Sequence, residues 1–125
     1  MYRIGVDLGG TNIATGVIDE NYKIIGRGKV KTRAPRPAEE IFDSIKEAVD
    51  MAVADAGISY DEIVSVGIGT PGSVNKDTGA IEFSNNLKFH NVPAKQMLEE
   101  RLNKPVYLEN DANAAAYGEF IAGAG

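Results

Sequence analysis

The sequence predicts an α/β domain with a mixed sheet that opens with three antiparallel strands and carries helices on its faces. Three short apolar segments, residues 2–8, 12–18 and 22–30, are separated only by turn residues. Strands joined so closely have to be antiparallel, because a parallel pair needs a long crossover. Two stretches with helical spacing then alternate with further strand-like segments, which predicts strands reached through crossovers.

The three antiparallel segments are bounded by turn residues. Residues 2–8 are apolar with β-branched side chains and stop at Gly9-Gly10, which reads as a tight turn. The strand pattern resumes over residues 12–18, and the polar residues 19–21 are typical of a turn. The third strand is predicted to begin at Tyr22.

A helix that ends at Gly57 is the clearest element. Glu39 and Glu40 suit its first turn, because the helix dipole favours negative charge there. Glycine is a good residue just past a helix end. The apolar positions at helical spacing are Ile41, Ile45, Ala48, Val49 and Ala52.

The second half of the chain continues the alternation. The predicted elements are a buried strand over residues 62–68, a hairpin with its tip at 75–79, a helix from Pro93 to Leu102, a short strand over 106–108, and a third helix from Asp111. The whole order is β-β-β-α-β, a hairpin, then α-β-α. It resembles the ribonuclease H-like arrangement shared by actin, the heat-shock ATPases and the sugar kinases.

Composition excludes several classes of protein and site. The 125 residues suit one domain, and the net charge of −5 with scattered basic residues disfavours a nucleic-acid partner. There is no cysteine and only one histidine, His90, so neither a disulfide framework nor a zinc site is predicted. No signal peptide or membrane-length apolar run is present, so we expect a soluble, cytoplasmic protein without a membrane partner.

The glycine turn Asp7-Leu8-Gly9-Gly10-Thr11-Asn12 is the first candidate site. Glycine lets backbone approach a ligand, and a tight turn directs several N–H groups into one space, which suits phosphate. Asp7 at the strand end can hold Mg²⁺ directly or through water. A glycine-rich hairpin turn without a ligand explains the same pattern. A P-loop does not, because no Lys follows and the next element is a strand.

Asn110 and Asp111 form the second candidate, at the point where a strand hands over to a helix. Open α/β sheets bind ligands at this edge. An Asp there can accept the proton of a substrate hydroxyl that attacks phosphorus, and an Asn can bind a sugar hydroxyl. Helix capping is the alternative, because Asn and Asp are preferred N-caps. The two roles are compatible.

Two loops are weaker candidates. Gly69-Thr70-Pro71-Gly72 follows a buried strand and offers bare backbone and a small hydroxyl, although an ordinary strand-ending turn has the same composition. Asn85 and Asn86 precede the aromatic Phe89, so their amides and its ring suit a sugar, although the same residues are typical of a loop.

Together, in this order, these segments resemble the motifs of the ROK sugar kinases, and of the glucokinases among them most. The glycine turn is similar to their first phosphate motif, and Ile68–Gly72 to their Gly-x-Pro-Gly segment beside the sugar. Asn86-Leu87 with Phe89 resembles an Asn-Leu loop that usually ends in Trp, and residues 109–114 resemble the segment with the catalytic Asp. The resemblance covers essentially the whole chain.

The resemblance implies a role for each candidate residue. Asp111 would be the general base that takes the proton of the sugar 6-hydroxyl. Sugar-positioning roles fall to Gly69, Thr70, Pro71, Gly72, Asn86, Asn110 and Asp111. Gly9, Gly10, Thr11 and Asn12 would face the phosphates of ATP, with Asp7 near Mg²⁺.

The resemblance also implies that residues 1–125 are the N-terminal lobe of an actin-like kinase. The C-terminal lobe, which normally supplies further sugar ligands, a zinc site and the adenosine pocket, is absent from this chain. We therefore expect this chain alone to be inactive, and the intact protein to be a homo-oligomer that phosphorylates a hexose with ATP.

Glucose is the expected hexose, with fructose, mannose and N-acetylmannosamine as alternatives. A ROK transcriptional repressor is a different class, disfavoured because no helix-turn-helix precedes the first strand. A non-catalytic sugar-binding or assembly module of the same fold is the third reading.

Overall fold

The computed structural model describes residues 1–70, 72–85 and 87–110, with Glu109 and Asn110 described by their backbone alone. The strands of these ranges are β1 (Tyr2–Leu8), β2 (Asn12–Ile18), β3 (Ile24–Lys31), β4 (Ile63–Thr70), β5 (Ser73–Asn75), β6 (Ala80–Ser84), β7 (Phe89–Val92) and β8 (Val106–Asn110). The helices are α1 (Ala38–Ala56) and α2 (Ala94–Leu102), with one 3₁₀ turn at Tyr60–Glu62.

The main sheet is mixed, as the sequence predicted. Its strand order is β3-β2-β1-β4-β8. The first three strands form an antiparallel meander; β4 then pairs in parallel with β1, and β8 pairs in parallel with β4. β5, β6 and β7 form a separate antiparallel sheet, in which the predicted hairpin tip joins β5 to β6. Strand β7 was not predicted.

Several boundaries differ from the predictions for physical reasons. β3 begins at Ile24 because Tyr22 has φ 62°, inside a turn held by the Asp19 carboxylate, which accepts the Asn21 and Lys23 N–H groups. β4 and β8 each run two residues past their predicted ends, because parallel pairing continues between Thr70 and its partner on β8. The predicted third helix lies outside the described residues.

Helix α1 packs closely on β3 through two glycines. A Cβ at Gly28 would overlap the backbone oxygen of Ala48, and one at Gly26 would overlap that of Ala52. The buried hydroxyl of Thr15 on β2 also donates to the Ala48 oxygen, at 2.7 Å. Only glycine permits this approach, so the helix is fixed against the sheet at backbone distance.

The ends of α1 and the core follow the predicted pattern. Glu39 and Glu40 lie in the first turn, and Gly57 caps the helix with φ 69°. The fully buried large side chains come from both helices, both sheets and the β6–β7 loop: Phe42, Ile4, Leu8, Ile13, Ile41, Ile45, Ile63, Ile68, Ile81, Leu87, Leu98 and Leu102. Over the described ranges, no helix combines the length and apolarity needed to span a membrane.

An ion pair on α2 holds the start of β8. The Lys95 ammonium donates to the Val106 oxygen at 2.7 Å, and the Glu99 carboxylate accepts the Val106 N–H at 3.0 Å. The two side chains also bond to each other at 2.9 Å. The Lys95 hydrogen bond, followed by the Val106 N–H, holds the pKa of Glu99 below its ordinary value. The strand that ends at Asn110 is thus fixed at its first residue.

Candidate functional site

The ends of three parallel strands bring most of the predicted site segments together. In the β1–β4 register Asp7 lies opposite Gly69, and in the β4–β8 register Thr70 lies opposite Asn110. Adjacent strands are about 4.8 Å apart, so the backbones of Asp7 and Asn110 are separated by two such steps and by one residue along the strands. These segments therefore share the carboxyl edge of the sheet, where α/β proteins bind ligands.

The glycine turn adjoins this edge directly, since it connects β1 to β2. The Gly9 N–H donates to the Asn12 oxygen at 3.0 Å, which closes the turn. A Cβ on Gly9 would lie only 3.0 Å from that same oxygen. In the described part of the chain, the Gly10 and Thr11 N–H groups take no part in the hydrogen bonds that hold the turn. The structure therefore contains the predicted tight turn, and the phosphate-binding role of this turn stays a prediction.

Thr32, one residue past β3, donates hydrogen bonds to two backbone oxygens of the glycine turn, and sequence reasoning missed it. Its hydroxyl donates to the Gly9 oxygen at 2.7 Å, and its N–H donates to the Thr11 oxygen at 2.9 Å. Thr32 is fully buried. Its own oxygen accepts two hydrogen bonds from the Arg36 guanidinium. No local sequence signal marks these contacts, because they join residues more than twenty positions apart.

The predicted Gly69–Gly72 segment divides into two parts. Gly69 and Thr70 are buried strand residues of β4 and not a turn. Gly72 has φ 100°, and a Cβ there would overlap the backbone oxygen of Phe83 on β6. Glycine at this position is therefore required twice, by conformation and by space. Pro71 lies outside the described residues.

The loop between β6 and β7 carries a correction. The sequence suggested that Phe89 packs against a sugar, but its ring is 4% exposed and meets Phe42 edge-on, with 5.8 Å between ring centroids. Leu87 is completely buried as well. Phe89 is thus a core residue, because alternate residues of this segment turn inward. Asn86, the predicted sugar ligand, directly precedes Leu87 in the sequence and lies outside the described residues.

Ser84, next to this loop, was also missed by sequence reasoning. Its hydroxyl is 1% exposed and has no hydrogen-bond partner among the described residues.

Asp111 lies outside the described residues, so both of its predicted roles stay predictions. His90 is exposed, with its Nε2 3.3 Å from the Asn91 amide. Within the described ranges, no three His, Cys, Asp or Glu side chains are grouped for a metal.

The sequence profile of the ROK family matches residues 3–125. The chain belongs to the ROK family. Its relatives include a glucokinase of Streptomyces coelicolor, 45% identical over 98% of this chain and 36% of that protein. They also include a xylose repressor of Caldicellulosiruptor bescii, 35% identical over 93% of this chain and 29% of that protein.

The fold of this ROK chain is that of the solved ROK kinases. A ROK glucokinase of Streptomyces griseus, solved with glucose and AMPPNP, matches it with a TM-score of 0.83 and 43% identity. The match covers 98% of this chain and 38% of that structure. The predicted actin-like ATPase fold is confirmed. The ROK chain spans about a third of the length of these relatives.

Proposed function

We propose that this chain is the N-terminal lobe of a kinase that transfers the γ-phosphoryl group of ATP to the 6-hydroxyl of glucose. The observation that carries the proposal is the shared edge of the sheet. Asp7, Gly69-Thr70 and Asn110 end neighbouring strands there, directly beside the glycine turn. The similarity to a glucokinase crystallised with glucose and an ATP analogue supports it.

In this proposal Asp111, one residue beyond β8, accepts the proton of the sugar 6-hydroxyl. The hydroxyl oxygen then forms a bond to the γ-phosphorus, the bond to the β,γ-bridging oxygen breaks, and ADP leaves with that oxygen. Asn110, Asn86 and the Gly69–Gly72 segment orient the sugar. Such a site works by placement and charge neutralisation more than by covalent chemistry.

The nucleotide would bind at the glycine turn. Among the residues that the structure describes, the Gly10 and Thr11 N–H groups take no part in the hydrogen bonds of the turn, so they suit phosphate oxygens. Gly9 and Asn12 complete the turn. Asp7 would bind Mg²⁺, directly or through water. A single carboxylate at a strand end fits this ion, which is held in proteins by one or two carboxylates, phosphate oxygens and water. Mg²⁺ held there would supply positive charge beside the transferred phosphoryl group.

The second lobe would close the cleft, so this chain alone should show no turnover. We further propose that the intact protein is a cytoplasmic homo-oligomer. Other hexoses share the chemistry of the 6-hydroxyl, so fructose, mannose and N-acetylmannosamine are the alternative substrates. The relationship to a xylose repressor supports a second candidate, a sugar-binding regulator with the same lobe and no phosphoryl transfer.

The decisive experiment measures phosphoryl transfer by the full-length protein with each of the four sugars, and then with Asp111→Asn. Loss of a general base costs about a hundredfold to ten-thousandfold in rate. We expect kcat to fall within that range while calorimetry shows glucose affinity unchanged within a few-fold. Asp77→Asn, on the exposed hairpin tip, is the matched control and should keep full activity.

Three outcomes would each contradict a part of the proposal. An Asp111→Asn protein with undiminished kcat would remove Asp111 as the base. A wild-type protein that binds sugar but transfers phosphate to none of the four sugars would favour the regulator. Rapid turnover by the 125-residue chain alone would refute the requirement for a second lobe.

A further inference from the structure

We propose that Thr32 is a positioning residue that holds the glycine turn in the shape needed to bind nucleotide phosphates. The inference rests on the proposed role of residues 9–12 as the phosphate site. Thr32 does not touch the nucleotide in this proposal. It acts by fixing two backbone carbonyls on the far side of the turn.

Thr32 binds the turn at two backbone oxygens. Its hydroxyl donates to the Gly9 oxygen at 2.7 Å, and its backbone N–H donates to the Thr11 oxygen at 2.9 Å. The peptide groups that follow Gly9 and Thr11 therefore have fixed orientations. Because a peptide unit is planar, fixing the oxygen of Gly9 also fixes the direction of the Gly10 N–H. Gly10 is one of the two residues whose N–H groups take no part in the hydrogen bonds of the turn within the described ranges.

The turn needs such a restraint because of its composition. Two consecutive glycines allow many backbone conformations, and ordering them costs more conformational entropy than ordering other residues. A restraint present before the nucleotide arrives removes part of that cost from binding. The hydroxyl of Thr32 is fully buried, so water cannot replace it readily as the partner of Gly9.

Arg36 links this restraint to helix α1. Its Nε and Nη2 atoms donate to the Thr32 oxygen at 3.0 and 2.8 Å, and Nη2 also donates to the Ser44 hydroxyl at 2.8 Å. Ser44 in turn donates to the Glu40 oxygen at 3.2 Å. Hydrogen bonds from a charged donor are stronger than neutral ones. Thr32 is thus anchored to the helix that packs on the core, and the turn is anchored to Thr32.

The test compares Thr32→Val and Thr32→Ser in the full-length protein. Valine keeps the volume and removes the hydroxyl, whereas serine keeps the hydroxyl and removes a methyl group. We expect Thr32→Val to lower kcat/KM for ATP about tenfold, with KM for glucose unchanged within about twofold. Thr32→Ser should stay within about threefold of wild type for both substrates. A purely structural role would reduce the active fraction and leave both KM values unchanged.

A second variant covers the case in which Thr32→Val does not fold. Arg36→Met leaves Thr32 in place and removes the three hydrogen bonds to Thr32 and Ser44. It should raise KM for ATP about threefold and leave KM for glucose unaltered. Unchanged ATP kinetics in a folded Thr32→Val protein, or in Arg36→Met if valine prevents folding, would overturn the proposal while leaving the kinase reading intact.

Calorimetry with AMPPNP separates this proposal from the proposed function. If the wild-type protein transfers no phosphate but binds AMPPNP, the kinase reading fails. A roughly tenfold loss of AMPPNP affinity in Thr32→Val, restored by serine, would still support Thr32 as a positioning residue. If the wild-type protein neither transfers phosphate nor binds AMPPNP, both proposals fail together.

Discussion

The two sides of the candidate site are held by different kinds of contact. On the proposed nucleotide side, the glycine turn is held by hydrogen bonds from Thr32 to backbone oxygens. On the proposed sugar side, the β6–β7 loop is held by the apolar side chains of Leu87 and Phe89, which lie in the core. Hydrogen bonds fix the direction of a backbone group, whereas apolar packing fixes position mainly through volume.

Because the contacts differ, substitutions on the two sides of the site should have different consequences. Removing one buried hydroxyl on the nucleotide side should change nucleotide kinetics with a small loss of stability. Removing volume on the sugar side should cost much stability and alter the sugar site through displacement of the loop. The Thr32→Val and Asp111→Asn proteins test function, and the Phe89→Ala and Gly72→Ala proteins test the packing half of the comparison.

The largest stability loss is expected from Phe89→Ala. Deleting a buried Phe ring costs about 3–5 kcal/mol, and this ring also packs edge-on against Phe42. Urea unfolding of the chain measures the loss. Phe83→Ala is the matched control, because Phe83 is 54% exposed and should cost no more than about 0.5 kcal/mol. Equal losses in the two variants would show that Phe89 does not anchor the loop.

An intermediate loss is expected from Gly72→Ala. Its φ of 100° disfavours any side chain, and a Cβ there would overlap the Phe83 oxygen, so we expect about 2–3 kcal/mol. Gly57→Ala isolates the conformational part, since Gly57 also has positive φ but its Cβ would meet nothing within 4 Å. It should cost about 1 kcal/mol. If thermal unfolding gave both variants the same loss, Gly72 would not be packed against β6.

The smallest effect is expected from Glu99→Gln. A carboxyl whose pKa is lowered by folding adds stability above its unfolded pKa, and that stability is lost as pH falls through the folded pKa. Because the Glu99 side chain is 37% exposed, we expect about 0.5 kcal/mol at pH 7. The free energy of unfolding of the Glu99→Gln protein, measured across acidic pH, should become equal to that of wild type below the folded-state pKa of Glu99.

The control for this titration is Glu100→Gln. Glu100 is exposed, and in the described part of the chain its carboxylate accepts a hydrogen bond from Gln96 of the same helix and from no other element. It should not reproduce the pH-dependent difference. A Glu99→Gln protein whose deficit stayed constant down to the lowest pH would show that the carboxylate charge is not what holds Val106.

Local patterns predicted the described helices and every described strand except β7. The apolar run of β1, the helical spacing of α1 and the glycine stop at Gly57 depend on neighbouring residues, which a sequence displays directly. The extension of β4 to Thr70 was not predictable in this way, because it depends on pairing with β8.

The site was only partly predictable for the same reason. Asp7, Gly69 and Asn110 were identified as strand-end residues, and the sheet register brings them to one edge. Thr32 was missed because its hydrogen bonds reach residues more than twenty positions away. The prediction for Phe89 was wrong because an aromatic residue that follows two amides has the same local sequence in a binding loop as in a core. Whether such a residue belongs to the site or to the core depends on its exposure and on its distant partners, and the local sequence shows neither.

The hydrogen bonds from Lys95 and Glu99 on α2 to Val106 make the connection at residues 103–105 intolerant of changes in length. Lys95 and Glu99 bind both backbone groups of Val106, and Val66 on β4 donates to the Pro105 oxygen. Inserting or deleting one residue would move every later position of β8 by about 3.3 Å and turn it to the opposite face of the sheet. Asn110 would then leave its place opposite Thr70, although no residue of the site had been altered.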